Sequence, residues 1–303
     1  MRPGGQPALE PSPRAEWMPY VLAPAHPRRW WHPLPGLRRL ARFEAVVRAR
    51  LAAACALEHP PPERFGFRFE AATRLFLVTG VMHRRYFRVE CHGIETLPRG
   101  PVMLVANHGS HVLAWDGAMI LTACLLDADP PRLVHGMAEH RLMELPLLGR
   151  AARRIGAVDG RRDTCADLLR AGGAVLAFPE GVQALTRPFR ERYRVREFGH
   201  GFLHVALRTG APIVPVAVIG PEEEAPLLAN PAWLARLVRT PVAPLTPTLV
   251  VPLPVKYRIH FGAPLRFRGP AAPDAVARHV AEVRAAVQEL IRRGLRLRRH
   301  VFF

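Results

Sequence analysis

From about Tyr86 onward, short runs of consecutive apolar residues alternate with stretches whose apolar residues recur at helical spacing. That alternation constrains the fold most, because a strand apolar at every position has to be covered on both faces. The candidate strands are Phe87–Cys91, Val102–Ala106, Leu133–Gly136, Ala174–Phe178, Ile213–Ile219 and Tyr257–Phe261, of which Val102–Ala106, Ala174–Phe178 and Ile213–Ile219 are apolar throughout. Gly117–Leu126, Asp163–Arg170 and Gly199–Arg208 carry helical patterns between them. A last helix over Pro273–Arg293 sets Val276, Val280, Val283, Val287 and Leu290 on one face. The pattern predicts an α/β domain on a mixed, largely parallel sheet flanked by helices, with an N-terminal helical appendage.

The organisation follows from composition shifts. Residues 1–36 are dense in proline, carry Trp17, Trp30 and Trp31, and read as a poorly ordered arm. Residues 37–85 read as a basic helical appendage: an Arg-rich amphipathic helix over Leu37–Leu57, ended by Pro60–Pro62, then a second helix over Phe69–Val81. Residues 86–303 form the α/β domain, interrupted by an apolar, Pro-rich insertion at 226–254 that contains Trp233.

Lysine and arginine number 43 against 25 acidic residues, a formal charge of +18, and Lys256 is the single lysine. Such a chain seeks polyanions, and an anionic membrane surface is the expected partner. The charge also permits nucleic acid, but it is not the expected partner, because no DNA- or RNA-binding motif accompanies the charge. The longest apolar stretches, Gly117–Leu126 and Ala211–Gly220, fall far short of the ~20 residues a spanning helix needs. The Pro-rich, polar start does not read as a secretory signal. The expectation is a peripheral protein on the cytoplasmic face of a membrane. Cys55, Cys91, Cys124 and Cys165 lie at no metal-ligand spacing, which fits a reducing compartment. His200 and His204 stand four apart, but no glutamate follows as in HExxH, so no metal is expected.

The chemistry concentrates in VMLVANHGSHVLAWDGAM, Val102–Met119. An apolar strand runs into Asn107-His108, and a helix starts near Gly117 with Asp116 at its N-cap position. The loop between can fold an imidazole back onto the carboxylate. A histidine so held is a good general base for a hydroxyl, because the carboxylate fixes its tautomer and steadies the imidazolium. Two histidines qualify, His108 at the strand end and His111 in the loop. A second segment, AVLAFPEG, ends a strand in Phe178-Pro179-Glu180-Gly181. In open α/β sheets ligands bind where loops leave the carboxyl ends of strands. Arg161 belongs to an Asp-Gly-Arg-Arg-Asp turn, and its guanidinium fork suits a phosphate.

In this order these blocks resemble the lysophospholipid (glycerolipid) acyltransferase family, over roughly Tyr86 to Phe267. The resemblance is carried by GIETLPRGPVMLVANH, the His/Asp block, RRIGAVDGRRDT (Arg153–Thr164), FPEG, GAPIVPVAVIG and PVKYRIHFGAPL (Pro254–Leu265). It implies transfer of a fatty acyl group to a lipid hydroxyl, with acyl-CoA or acyl carrier protein as co-substrate and no metal or bound organic cofactor. It implies that the motif histidine deprotonates the acceptor and that Phe178, Pro179, Glu180 and Gly181 line the head-group site.

Three departures stand out. The family's spacing of four residues between His and Asp fits His111, while its Asn-His dipeptide fits His108. FPEG is followed by Val182 and Gln183 where Thr or Ser and then Arg are usual, and the nearest arginine, Arg187, is displaced and stands as the candidate to bind the acceptor there. The stretch VQALTRPFRERYRVREFGHGF and the 226–254 insertion look more like the diacylglycerol or wax-type subgroup, which implies a neutral lipid alcohol as acceptor. A lipid hydrolase, weakened by the lack of a GxSxG elbow, and a non-catalytic lipid binder are the alternatives.

Overall fold

A computed structural model describes residues 37–57, 62–109, 113–144, 146–237, 245–247, 251–269 and 271–302. The arm expected over 1–36, with its tryptophans, lies outside them. The described residues divide at Ala45 and Val46 into two units, the second running from Val46 to the end of the chain.

In the second unit seven strands make one sheet: β1 (Glu90–His92), β2 (Val102–Ala106), β3 (Val134–Ala138), β4 (Val158–Asp159), β5 (Ala174–Ala177), β6 (Ile213–Ile219) and β7 (Arg258–Phe261). Their order across the sheet is β1-β7-β6-β2-β5-β3-β4. All pairs run parallel except β6 with β7. The helices, in chain order, are α1 (Leu37–Ala56), α2 (Phe69–Val81), α3 (Trp115–Leu126), α4 (His140–Glu144), α5 (Pro146–Arg154), α6 (Arg162–Arg170), α7 (Gly201–Thr209), α8 (Pro221–Glu224), α9 (Ala232–Leu237) and α10 (Pro273–Leu297). The fold is therefore a mixed, largely parallel α/β sheet flanked by helices. None of the described helices is long and apolar enough to cross a membrane.

Continuous apolar strands are explained by cover on both faces. Met103, Val105, Val175, Ala217 and Ile219 face one apolar cluster, with α6, α7 and the Val276–Ile291 stripe of α10. Val102, Leu104, Ala106, Val214, Val216 and Val218 face a second cluster, with α3. Each fully buried Val or Leu contributes about 1.5–3 kcal/mol, so the central strands β2 and β6 are the rigid part of the molecule. Both are buried along their whole length.

Some boundaries differ from the sequence expectation. β1 begins at Glu90 rather than Phe87, because Met82–Tyr86 continues α2 as a π turn whose end the Phe87 amide closes onto the Met82 carbonyl at 2.8 Å. Arg88 then turns the chain at φ 46°. β4 is two residues long, and α4 and α5 fill the span between β3 and β4; none of the three was foreseen. Within the described part of the 226–254 insertion, Ala229 and Leu245 make an isolated antiparallel bridge, and Leu228, Trp233 and Val251 are exposed.

Candidate active site

β6, β2 and β5 are neighbours and parallel, so the loops leaving their carboxyl ends meet at one rim of the sheet. The loop after β2 opens with Asn107, whose carboxamide imitates a further rung of sheet. Its Nδ2 donates to the Val218 carbonyl at 3.0 Å, and its Oδ1 accepts the Val218 amide at 2.8 Å. The next residue, His108, is thereby delivered beyond the strand end with its position referenced to β6. Its ring stacks on Phe178 from the β5 loop, centroids 4.4 Å apart. The His108 side chain is 14% exposed, so its free edge reaches the rim.

The loop folds back and brings His108 to the carboxylate. His108 Nδ1 lies 2.6 Å from Asp116 Oδ2. Asp116 also accepts the Gly109 amide at 2.7 Å and the Gly117 amide at 2.7 Å. The helix, however, begins earlier than expected. Ala114 turns in the left-handed region at φ 47° and α3 starts at Trp115, which puts Asp116 in the first turn and not at the N-cap. From there the carboxylate faces the incoming loop.

Burial alone would raise the Asp116 carboxyl, but the His108 imidazole and the two amides outweigh it and hold the group below its ordinary range. Burial alone would lower His108; the charge and hydrogen bond of Asp116, helped by Glu180, raise it above its ordinary value. The pair is thus an ionised carboxylate and an imidazole of enhanced basicity, with Nε2 left for a substrate.

Two glycines make the close approach possible. A Cβ on Gly109 would sit 2.4 Å from the Pro221 Cβ, and one on Gly117 would sit 3.3 Å from the Phe178 ring. Gly109→Ala is expected to lower stability by ~1–3 kcal/mol and to displace an Asp116 donor. A thermal unfolding curve identical to wild type would show that Pro221 yields freely.

The rest of the expected set is placed as follows. Phe178 stacks on the imidazole, and Pro179 and Gly181 shape the turn after β5, the Gly181 amide closing on the Phe178 carbonyl at 3.0 Å. Glu180 and Arg187, expected to meet the acceptor, are buried and turned on each other. Arg161 is exposed at the start of α6, its amide bonded to Asp159. β4, just before it, is three strands from β2, about 14 Å across the sheet. His111 lies outside the described residues.

Asn107, Gly109 and Glu222 were missed. Asn107 stood in plain view as half of the Asn-His dipeptide. Glu222 stands in a run of three acidic residues that looks solvated, yet Glu222, Glu223 and Glu224 are all buried. Glu222 binds Arg187, Glu223 binds Arg298, and Glu224 accepts the Tyr257 hydroxyl at 2.5 Å.

Among the described residues, one group brings metal-ligating atoms together: His83, Cys91 and Asp127, within 4.8 Å of one another. Arg84 already pairs with Asp127, and the Cys91 thiol donates to it at 3.5 Å. Burial pushes the His83 imidazole down to about 4 and the Cys91 thiol well up. The group therefore reads as a compensated polar cluster joining α2, β1 and the end of α3.

A parallel-sheet rim that presents a carboxylate-held imidazole can offer a general base to a hydroxyl or to water. Residues 88–219 match the family described as Acyltransferase. An uncharacterized protein of Mycobacterium tuberculosis (strain ATCC 25618 / H37Rv) is 38% identical over 234 residues, covering 73% of this chain and 65% of that protein. The human DGAT1/2-independent enzyme synthesizing storage lipids is 29% identical over 216 residues, covering 69% of this chain and 62% of that enzyme. The chain thus matches somewhat less than two thirds of the length of these relatives. Among solved structures, the 1-acyl-sn-glycerophosphate (LPA) acyltransferase PlsC of Thermotoga maritima aligns with 82% of this chain and 97% of its own, at 18% identity and a TM-score of 0.48.

Proposed function

We propose that this protein is an O-acyltransferase that moves a fatty acyl group from a thioester, acyl-CoA or acyl carrier protein, to the hydroxyl of a lipid. The observation that carries the reading is the 2.6 Å contact between His108 Nδ1 and Asp116 at an open sheet rim. His108 Nε2 takes the proton of the acceptor hydroxyl as its oxygen bonds to the thioester carbonyl carbon. Asp116 steadies the imidazolium that forms. The tetrahedral intermediate collapses, the carbon–sulfur bond breaks, and the departing sulfur takes the proton back from His108. Ester and free thiol are the products, and base and acid are the same residue.

The acceptor is a neutral lipid alcohol in this reading. Arg187, the arginine nearest the FPEG turn in sequence, is 2% exposed and bound to two carboxylates, so it offers no charge to an acceptor phosphate. Arg161 stands exposed on the same rim, and its fork suits the phosphates of a long donor. Leu113 and Val182 are exposed in the loops after β2 and β5. With the formal charge of +18, this supports work as a peripheral protein on the cytoplasmic, anionic face of a membrane.

The test is an assay with radiolabelled acyl-CoA, and in parallel acyl carrier protein, against diacylglycerol, long-chain alcohols, lysophosphatidic acid and lysophospholipids. New labelled ester is expected with the uncharged alcohols. Free fatty acid released at the same rate with and without acceptor would make the protein a hydrolase, and no turnover of any donor would leave a lipid binder. Vesicle sedimentation checks the membrane reading: binding is expected to anionic vesicles and to weaken with salt, and equal binding to neutral vesicles would count against it.

A further inference from the structure

We propose that Arg187, with Glu180 and Glu222, forms a buried clamp that sets the direction of the His108 imidazole, so that Arg187 is a positioning residue. The inference rests on the reading of His108 as the base. β2 ends at Ala106, the last residue in register with β6, so His108 has no strand partner for its own backbone. The clamp supplies one on each side. The His108 amide donates to Glu180 Oε1 at 3.3 Å, and Arg187 donates from its NH1 to the His108 carbonyl at 3.3 Å. Arg187 and Glu180 are paired directly, so the two ends of one ion pair hold the two polar groups of one peptide residue.

The clamp is itself anchored. The same NH1 donates to Glu222 Oε1 at 2.5 Å, and the other Glu222 oxygen accepts the Tyr193 amide at 2.7 Å. Glu180 Oε2 also accepts the Arg196 amide at 2.8 Å. Three loops, after β2, β5 and β6, are therefore tied through one guanidinium. Its side chain is 1% exposed, and those of Glu180 and Glu222 are 0% and 3% exposed. Burying these three ionisable groups is expensive compared with packing apolar side chains there, and burial pushes the Glu222 carboxyl up to about 7. The return is directional: a planar fork fixes several acceptors at once, and a lysine, a point charge on a flexible stem, does not. Burial would lower the Arg187 group, but the two carboxylates raise it, which keeps the fork charged at every working pH.

Two roles make opposite predictions. A phosphate reader acts on KM of a phosphate-bearing acceptor. A clamp acts on kcat with every acceptor, because a small misplacement of the base slows proton transfer by roughly ten- to a hundredfold. The experiment compares wild type, Arg187→Lys and Glu222→Gln with every lipid acceptor, uncharged or phosphate-bearing, that the wild type turns over, and records the ¹⁵N titration of the His108 imidazole in each. The lysine variant is expected to lose kcat roughly ten- to a hundredfold with each of them, with KM held and the His108 titration displaced. Glu222→Gln leaves a neutral acceptor for Arg187 and is expected to show the same pattern more weakly, which covers the case in which Arg187→Lys folds poorly. A rise in KM confined to lysophosphatidic acid with kcat held, or an unmoved His108 titration, overturns the clamp. Should the wild type transfer no acyl group at all, the proposed function fails, and the imidazole titration still decides the clamp.

Discussion

His108→Ala is expected to lower kcat for acyl transfer by about two to four orders of magnitude while the chain stays folded. The loss is large because no other imidazole among the described residues contacts Asp116. The fold is expected to persist for a local reason. Asp116 loses the His108 donor but keeps the amides of Gly109 and Gly117, so no buried carboxylate is stranded. Phe178 loses a stacking partner at a position already open to solvent, which is a small change in packing. Steady-state kinetics beside a thermal unfolding curve measures both halves. Full activity in the alanine variant would remove His108 from the chemistry and turn attention to His111.

Asp116→Asn should be nearly as damaging, and it changes the pH profile in a direction that can be worked out. Three donors, the His108 ring and the Gly109 and Gly117 amides, point at the carboxylate. A carboxamide has one accepting atom, so at least one buried N–H faces an NH₂ group and goes unsatisfied, at about 1–3 kcal/mol. The reaction slows by roughly 10²–10⁴ as the imidazolium loses its counter-charge.

In the proposed reaction the working base is the neutral imidazole. In the wild type His108 sits above its ordinary 6.5, so the acid limb of kcat/KM is expected above pH 6.5. With asparagine in place, burial acts on the ring unopposed by Asp116, and the limb moves to lower pH as the plateau falls. A limb that stays put would mean that Asp116 does not set the basicity of His108.

The same shifts bear on stability. His108 is raised, so its share is complete below pH 6.5 and is lost as pH rises through its folded value. Asp116 is lowered, so its share is complete above 3.8 and is lost as pH falls through its folded value.

The sheet was legible wherever burial is continuous. β2, β5 and β6 are runs of aliphatic residues with no polar interruption, and only a strand covered on both faces tolerates that composition. β4 escaped notice because two residues carry no period, and α5 because Pro146 reads as a break although proline is well tolerated in a first helical turn. The start of α3 was misjudged because aspartate is a favoured cap, whereas the turn is made by Ala114 in a conformation that alanine rarely adopts. The contact of His108 with Asp116 was foreseeable because it closes over eight residues. The contact of Arg187 with Glu222 spans 35 residues, and no local pattern announces which cation a distant acid will meet.

The reversal of direction at β7 has a consequence for how substrates are accommodated. β7 and β1 run against the other five strands, so beyond β6 the rim receives strand beginnings and not strand ends. The His108–Asp116 pair beyond β2 is thus bordered on that flank by chain arriving from below, fixed by the sheet it is about to join. The opposite flank, over β5, β3 and β4, is built entirely of departing loops, which can lengthen or change composition without disturbing a strand. Variation in what the protein accepts has its room on that side, while the seat of the imidazole stays where β6 and β2 lock it.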